Sequence, residues 1–172
     1  MTGPILHSVA TPPPFDVMFS NMHIAAVTYA HPPVFTVQDG AAFKSLIPGG
    51  HTKNLFLRDK KENMFLVTAL QDTAIDLKKL SDHVQAGRLS FGSADRLQRV
   101  LGVTPGSVTP LALINDHARA VQVILDAALF DQDQVSCHPL RNDRTTVLKT
   151  QDLQRFIETL GYAPRRIDFS AI

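Results

Sequence analysis

Two short apolar runs, Leu55-Phe56-Leu57 and Met64-Phe65-Leu66-Val67, flank the polar stretch Arg58-Asp59-Lys60-Lys61-Glu62-Asn63. This pattern predicts a β-hairpin with a solvated turn and two core-facing strands. Helices are predicted around it. Asp76 to Val84 carries Leu77, Leu80 and Val84 on one face, and Ser93 precedes a run with Leu97, Val100 and Leu101 that stops at Gly102. Thr150 fits an N-cap for a helix carrying Leu153, Phe156, Ile157 and Leu160, with Gly161 as its C′ stop. Phe15 to Met22 makes one short helix, and Gln38 to Leu46 another, ended by Pro48-Gly49-Gly50. Strands are expected at Ile24 to Tyr29, Val34 to Val37, Leu89 to Phe91, Leu111 to Ile114, Val121 to Leu125, Val135 to His138, Thr145 to Leu148 and Arg166 to Phe169. Hairpins interleaved with helices imply an α/β (α+β) domain with a mixed sheet, not a doubly wound fold.

With 172 residues, 44% of them apolar and 19% charged, the chain has the composition of one folded domain. Pro4, Pro12, Pro13 and Pro14 mark Met1 to Pro14 as a surface leader. The expected organisation is a leader and short helix over 1–22, then a single domain over 23–172. No run of 18 apolar residues and no export signal occurs, so a cytoplasmic protein without membrane contact is expected. The lone Cys137 excludes an internal disulfide.

Several chemistries are excluded by missing patterns. There is no His-Glu-x-x-His, paired Cys-x-x-Cys, EF-hand loop, Walker loop, dinucleotide loop or Gly-x-Ser-x-Gly elbow, so no metal or cofactor is expected. Cys137 adjoins His138, but neighbours on a strand point to opposite faces, and a buried structural thiol is the simpler reading.

Charge is distributed unevenly. Lys44, Lys53, Arg58, Lys60 and Lys61 face a single acid, Asp59, and Arg88, Arg96 and Arg99 add a second basic set before Gly106. A net charge of +1 means that any nucleic acid must be met by such local patches, although from charge alone a solvated charged face is the simpler reading. Lys53 stands where an apolar strand begins, placing an ammonium beside the core. In Gly102-Val103-Thr104-Pro105-Gly106-Ser107-Val108-Thr109-Pro110, glycine and proline together allow backbone amides to form a nest for an anion.

Three separated motifs, Lys53 to Lys61, the Gly-x-x-x-Pro element Gly106 to Pro110, and His138-Pro139-Leu140-Arg141-Asn142, resemble in order and spacing the YbaK/prolyl-tRNA synthetase-associated editing domains. Within that family the chain is most similar to the freestanding Ala-tRNA(Pro) deacylases, from about His31 to Phe169. The resemblance implies a mixed, curved sheet flanked by helices and an ester hydrolase acting on alanine attached to proline tRNA. Such a second sieve is needed because methylene-scale differences give only about 1–3 kcal/mol of discrimination.

Carried over by residue, the resemblance places Lys53 among the catalytic residues, as the anchor of the terminal adenosine or aminoacyl end and not as a nucleophile. It makes the amides of Gly106, Ser107, Val108, Thr109 and Pro110's loop the oxyanion stabilisers. Asn54 and His138 become pocket residues, with Lys44, Arg58 and Arg88 in substrate binding. Water attack would be assisted by the vicinal hydroxyl of the tRNA, with His138 as base in second place. The implied partners are the tRNA(Pro) acceptor end and prolyl-tRNA synthetase. Glu62-Asn63 departs from the family in a turn where glycine is common, and Ser136-Cys137 stands where larger apolar residues are frequent. The alternatives are a Cys-tRNA(Pro) deacylase of the same fold, a non-catalytic tRNA- or synthetase-binding module, and a small-ester hydrolase using Cys137. Stacking of the acceptor end on Phe or His is expected, with no residue singled out.

Overall fold

The computed structural model describes residues 6–35 and 37–172. Among these, nine strands make one mixed sheet. They are β1 (His7–Val9), β2 (Ala26–Ala30), β3 (Gly50–Arg58), β4 (Met64–Leu70), β5 (Ser90–Phe91), β6 (Val121–Asp126), β7 (Gln134–Cys137), β8 (Arg144–Lys149) and β9 (Arg165–Ile167). The order is β1-β2-β8-β7-β3-β4-β6-β9, with β5 beside β3. β3 runs parallel to β7, and β6 runs parallel to both β4 and β9; the other neighbours are antiparallel. Five helices flank the sheet: α1 (Phe15–Asn21), α2 (Val37–Lys44), α3 (Leu77–His83), α4 (Ala94–Leu101) and α5 (Thr150–Thr159).

The expected hairpin is β3–β4, paired from Thr52–Leu70 to Arg58–Met64. Its run of apolar residues is buried on both faces. Phe56 and Leu66 join the larger core with α1, α4 and α5, while Leu57, Phe65 and Val67 face a second core with Leu80, Val84, Ile124 and Phe169. The turn is organised by Asp59, whose carboxylate accepts from the amides of Lys61 (2.8 Å) and Asn63 (3.0 Å) and from Asn63 Nδ2 (2.9 Å). These bonds hold the Asp59 carboxyl below the usual carboxylate range, Asn63's side chain contributing most. Glu62 occupies the left-handed region (φ 66°), which explains why a glycine suits this position.

Helix punctuation follows the sequence closely. Asp76 and Ser93 cap α3 and α4 by accepting backbone amides, and Gly102 (φ 65°) and Gly161 (φ 98°) end α4 and α5. Thr150 is the first helical residue, not the cap: its hydroxyl donates to the Gln132 carbonyl at 2.6 Å, and Lys149 holds the cap position.

Two expected strands are absent. Leu111 to Ile114 lies in a 3₁₀ helix, Pro110–Asn115, started by Pro110 and by Thr109, whose hydroxyl accepts the Leu111 amide; a four-residue apolar run does not by itself distinguish the two structures. Val34 and Phe35 have irregular backbone, because their polar groups are taken by Asn142 and Asp39 instead of a ladder, and Val37 already belongs to α2. Thr36 lies outside the described residues. The last strand begins one residue early and ends at Ile167.

The leader is more structured than its prolines suggest. β1 pairs with β2, and Phe15 and Phe19 of α1 are buried against Phe156 at ring distances of 6.2 and 5.4 Å. Residues 1–5 lie outside the description.

Phe156 is fully buried where α1 and α5 meet. Phe156→Ala should cost about 3–5 kcal/mol, read as a lower urea midpoint at unchanged slope. A loss below about 1 kcal/mol would show that α1 is not part of the cooperative core.

Candidate active site

β3 and β7 pair at only two positions, Gly50 with Val135 and His51 with Ser136. Beyond them β3 stays with β4, and β7 with β8. A cavity of about 130 Å³ lies at this parting seam. His51, Thr52 and Asn54 line one side, Ser136, Cys137 and His138 the other, and His31, Val34 and α2 residues Gly40, Phe43 and Lys44 cover it. The close start of the seam requires glycine. A Cβ on Gly49 (φ +83°) would stand 2.8 Å from the Gln134 carbonyl oxygen, and one on Gly50 2.9 Å from the Leu70 and Gln132 side chains. The expected helix Gln38 to Leu46 runs instead from Val37 to Lys44, ending in turns that bond the Leu46 and Ile47 amides to the Phe43 and Lys44 carbonyls, and Pro48-Gly49-Gly50 then brings β3 against β7.

Hydrogen bonds orient the lining. The Thr52 hydroxyl donates to the Ser136 carbonyl across the seam at 2.6 Å. The Thr68 hydroxyl donates to Asn54 Oδ1 at 2.7 Å, which leaves the Nδ2 amino group as the end offered to the cavity. His138 Nδ1 lies 2.8 Å from the Arg144 carbonyl; a carbonyl only accepts, so the neutral ring carries its proton on Nδ1 and a lone pair on Nε2. By the same logic His31 donates from Nδ1 to the Pro32 carbonyl (2.9 Å) and accepts the Thr145 hydroxyl at Nε2 (2.8 Å). Its ring stacks on Phe43 at 5.8 Å and lies 6.3 Å from that of His138. Lys44 Nζ donates to Gln71 Oε1 at 2.9 Å.

Burial pushes the His138 pKa below its ordinary 6.5, outweighing the bond to Arg144, and the nearby Lys44 ammonium pushes the same way. His51 is lowered as well, again first by burial. The site thus holds neutral imidazoles beside a lysine ammonium. Cys137 has the opposite fate: burial raises its thiol to about 12, only partly offset by a bond with Thr109. At neutral pH its thiolate population is negligible, which removes the physical basis for a Cys137 nucleophile.

The residues nominated from sequence do not all converge here. Asn54, His138 and Lys44 line the cavity, whereas Lys53 does not. Side chains alternate along β3, so Lys53 shares the far face with Leu55 and Leu57, and its ammonium donates to the Thr73 carbonyl. The Thr73 hydroxyl in turn donates to buried Asp126 at 2.5 Å. Gly106 to Pro110 also lies off the cavity. The Ser107 amide donates to the Thr104 carbonyl, Thr109 is buried and bonded with Cys137, and Gly106 lies next to Asn142, so the loop stands behind the cavity lining. The basic run is split. Lys44 sits near the Thr52 end of β3, while Arg58 and Arg96 pair with Glu62 about 20 Å away by strand rise, and Arg88 is exposed.

Sequence reasoning missed His31, His51, Thr52, Ser136 and Thr145. The alternation Thr52-x-Asn54 beside Gly49-Gly50 was the available signal. Among the described residues no three His, Cys, Asp or Glu side chains are placed to share a metal ion, and no helix is long and apolar enough to cross a membrane.

The family profile described as aminoacyl-tRNA editing domain matches residues 31–156, which span every element of this cavity. The chain belongs to the aminoacyl-tRNA editing domain family. Editing an aminoacyl-tRNA is hydrolysis of its ester, so this is an aminoacyl-tRNA deacylase. The chain is 37% identical over 139 residues to the prolyl-tRNA editing protein ProX of Acetoanaerobium sticklandii, covering 80% of this chain and 85% of the relative. It is 37% identical over 156 residues to the prolyl-tRNA synthetase associated domain-containing protein 1 of Danio rerio, covering 90% and 85%. A crystal structure of a candidate trans-editing enzyme for prolyl tRNA synthetase shares the fold, with a TM-score of 0.65, 18% identity and 85% coverage of both chains.

The lowered His138 pKa has a definite sign. An unfolded histidine binds a proton near 6.5 and the folded one only at lower pH, so between these values the unfolded state holds more protons. Stability should therefore fall as pH drops through about 6.5, and His138→Gln should flatten part of that fall. An NMR titration of His138 should give a midpoint below 6.5; a midpoint at or above it would contradict the assigned burial.

Proposed function

We propose that this chain is a cytoplasmic trans-editing deacylase that removes alanine from mischarged proline tRNA, acting beside prolyl-tRNA synthetase. The observation that carries this reading is one small cavity joining a neutral imidazole, an oriented carboxamide and an ammonium. Its volume of about 130 Å³ suits a small acyl group. The names of the ProX and zebrafish relatives support the link to prolyl-tRNA.

In this proposal the alanyl ester enters with its carbonyl oxygen toward Asn54 Nδ2, with Lys44 supplying positive charge nearby. Water attacks the carbonyl carbon, and its proton passes to His138 Nε2, or is relayed by the vicinal hydroxyl of the terminal ribose, which accepts it while passing its own proton to the leaving ribose oxygen. The tetrahedral oxyanion is stabilised by Asn54, a donor role worth about 10²–10³ in rate. Collapse breaks the acyl carbon–ribose oxygen bond, and the leaving ribose oxygen takes back the proton. Proximity of the tRNA's own hydroxyl replaces a strong protein base. No cofactor is called on. In this reading Asn54, which lines the cavity, takes the oxyanion role in place of the Gly106 to Pro110 loop. Lys53 becomes a positioning residue, holding the Gln71 to Thr73 turn that carries the partner of Lys44.

Purified Ala-, Cys- and Pro-tRNA(Pro) should be incubated side by side with wild type, Asn54→Ala and Lys53→Ala. The alanyl ester alone should be lost rapidly, with kcat lowered about 100-fold by Asn54→Ala and kcat/KM about tenfold by Lys53→Ala. Loss of the cysteinyl ester alone would replace alanine by cysteine as substrate. Survival of all three esters would leave a binding module.

A further inference from the structure

An exposed aromatic ring stands beside the cavity. Phe35 is 79% exposed, the most exposed large apolar side chain among the described residues, while its neighbour Val34 lines the cavity. Burial does not explain it, since the ring packs into neither core.

The backbone that carries it is firmly held. Val34 exchanges bonds with Asn142 in both directions: its amide donates to the Asn142 carbonyl at 3.3 Å, and Asn142 Nδ2 donates to its carbonyl at 3.2 Å. The Phe35 amide donates to the Asp39 carboxylate at 3.3 Å. The residues flanking Asn142 are charged. Arg141 and Arg144 share the single carboxylate of Asp143, Arg141 in a two-pronged pair of 2.5 and 2.7 Å, which leaves this rim net positive. The Arg141 side chain is 52% exposed. Thus an exposed aromatic ring follows the cavity-lining Val34 and, across the Val34–Asn142 bonds, the next segment carries the Arg141 guanidinium.

An aminoacyl ester in the cavity is attached to a ribose at the mouth, and that ribose carries a base and a phosphate. Unpaired bases are recognised by stacking on aromatic side chains, and phosphates by guanidinium groups. We propose that Phe35 and Arg141 form the landing platform for the terminal nucleotide of the acceptor end, the base stacked on the Phe35 ring and its phosphate facing Arg141. The platform rests on the deacylase reading and adds to it the residues that grip the nucleoside. Stacking accepts any base, so the platform supplies affinity without choosing among tRNAs.

The test uses the full chain, Ala-tRNA(Pro), and two uncharged acceptor-stem RNAs that differ only in the terminal nucleotide. Phe35→Ala should raise KM for deacylation about tenfold with kcat within twofold, and Phe35→Trp should restore it. The same Phe35→Ala should weaken binding of the full-length RNA to the level that wild type shows for the RNA lacking its last nucleotide. Arg141→Gln should lower the slope of log affinity against log salt by about 0.7. Because Phe35 is exposed, its loss should not unfold the chain. A deacylating wild type whose KM and RNA affinity are unchanged by Phe35→Ala would overturn the platform and leave the deacylase reading intact. A wild type that cleaves none of the esters overturns the deacylase reading instead, and RNA binding that ignores both Phe35 and the terminal nucleotide then overturns the platform separately.

Discussion

The site depends on two parallel pairings. Gly50–Val135 and His51–Ser136 are the only rungs between β3 and β7, and they sit where the two strands part. With fewer rungs the two halves of the sheet would have no fixed relation at this edge. With more, the ladder would close and Thr52, Asn54 and His138 would have no cavity to line. Gly49 and Gly50 make the close approach possible, because any side chain there would meet Gln134, Gln132 or Leu70. The Thr52 hydroxyl on the Ser136 carbonyl then holds the opening at a fixed width.

Electrostatics follow from this geometry. His138 is partly buried in the seam and tied through Nδ1, so its other nitrogen keeps a lone pair and its charge state is neutral at ordinary pH. Lys44 brings a positive charge from α2, and Gln71 fixes it. An ammonium near a neutral imidazole and a carboxamide donor favours developing negative charge at a carbonyl oxygen and disfavours protonation of the imidazole, so both effects act in one direction. The buried thiol of Cys137, for all its position next to His138, belongs to the core.

Much of the fold was legible because its signals are local. The polar turn at Asp59, the caps Asp76 and Ser93, and the stops Gly102 and Gly161 each act through their own side chain or φ angle. What failed was set by a competing local turn or by distant partners. Leu111 to Ile114 is apolar enough for a strand, but Thr109 and Pro110 start a 3₁₀ turn there. Val34 and Phe35 lose their expected strand to Asn142, more than 100 residues away in sequence. In the site, Asn54 and His138 were readable from their motifs. The side of the sheet on which Lys53 points was implicit in strand alternation once Asn54 faced the cavity, yet its partner Thr73 was not. His31 and Thr145 meet only because β2 and β8 are neighbours, with Ala30 opposite Arg144, and nothing local in the sequence announces that.

The central claim is that the ester is cleaved in the seam between β3 and β7. A crystal structure with an amide-linked, non-hydrolysable alanyl-adenosine tests it most directly. The account predicts the alanyl carbonyl oxygen within hydrogen-bond distance of Asn54 Nδ2, with His138 beside the carbonyl carbon. An alanyl group bound on the opposite face of β3, beside Lys53 and Thr73, would contradict it.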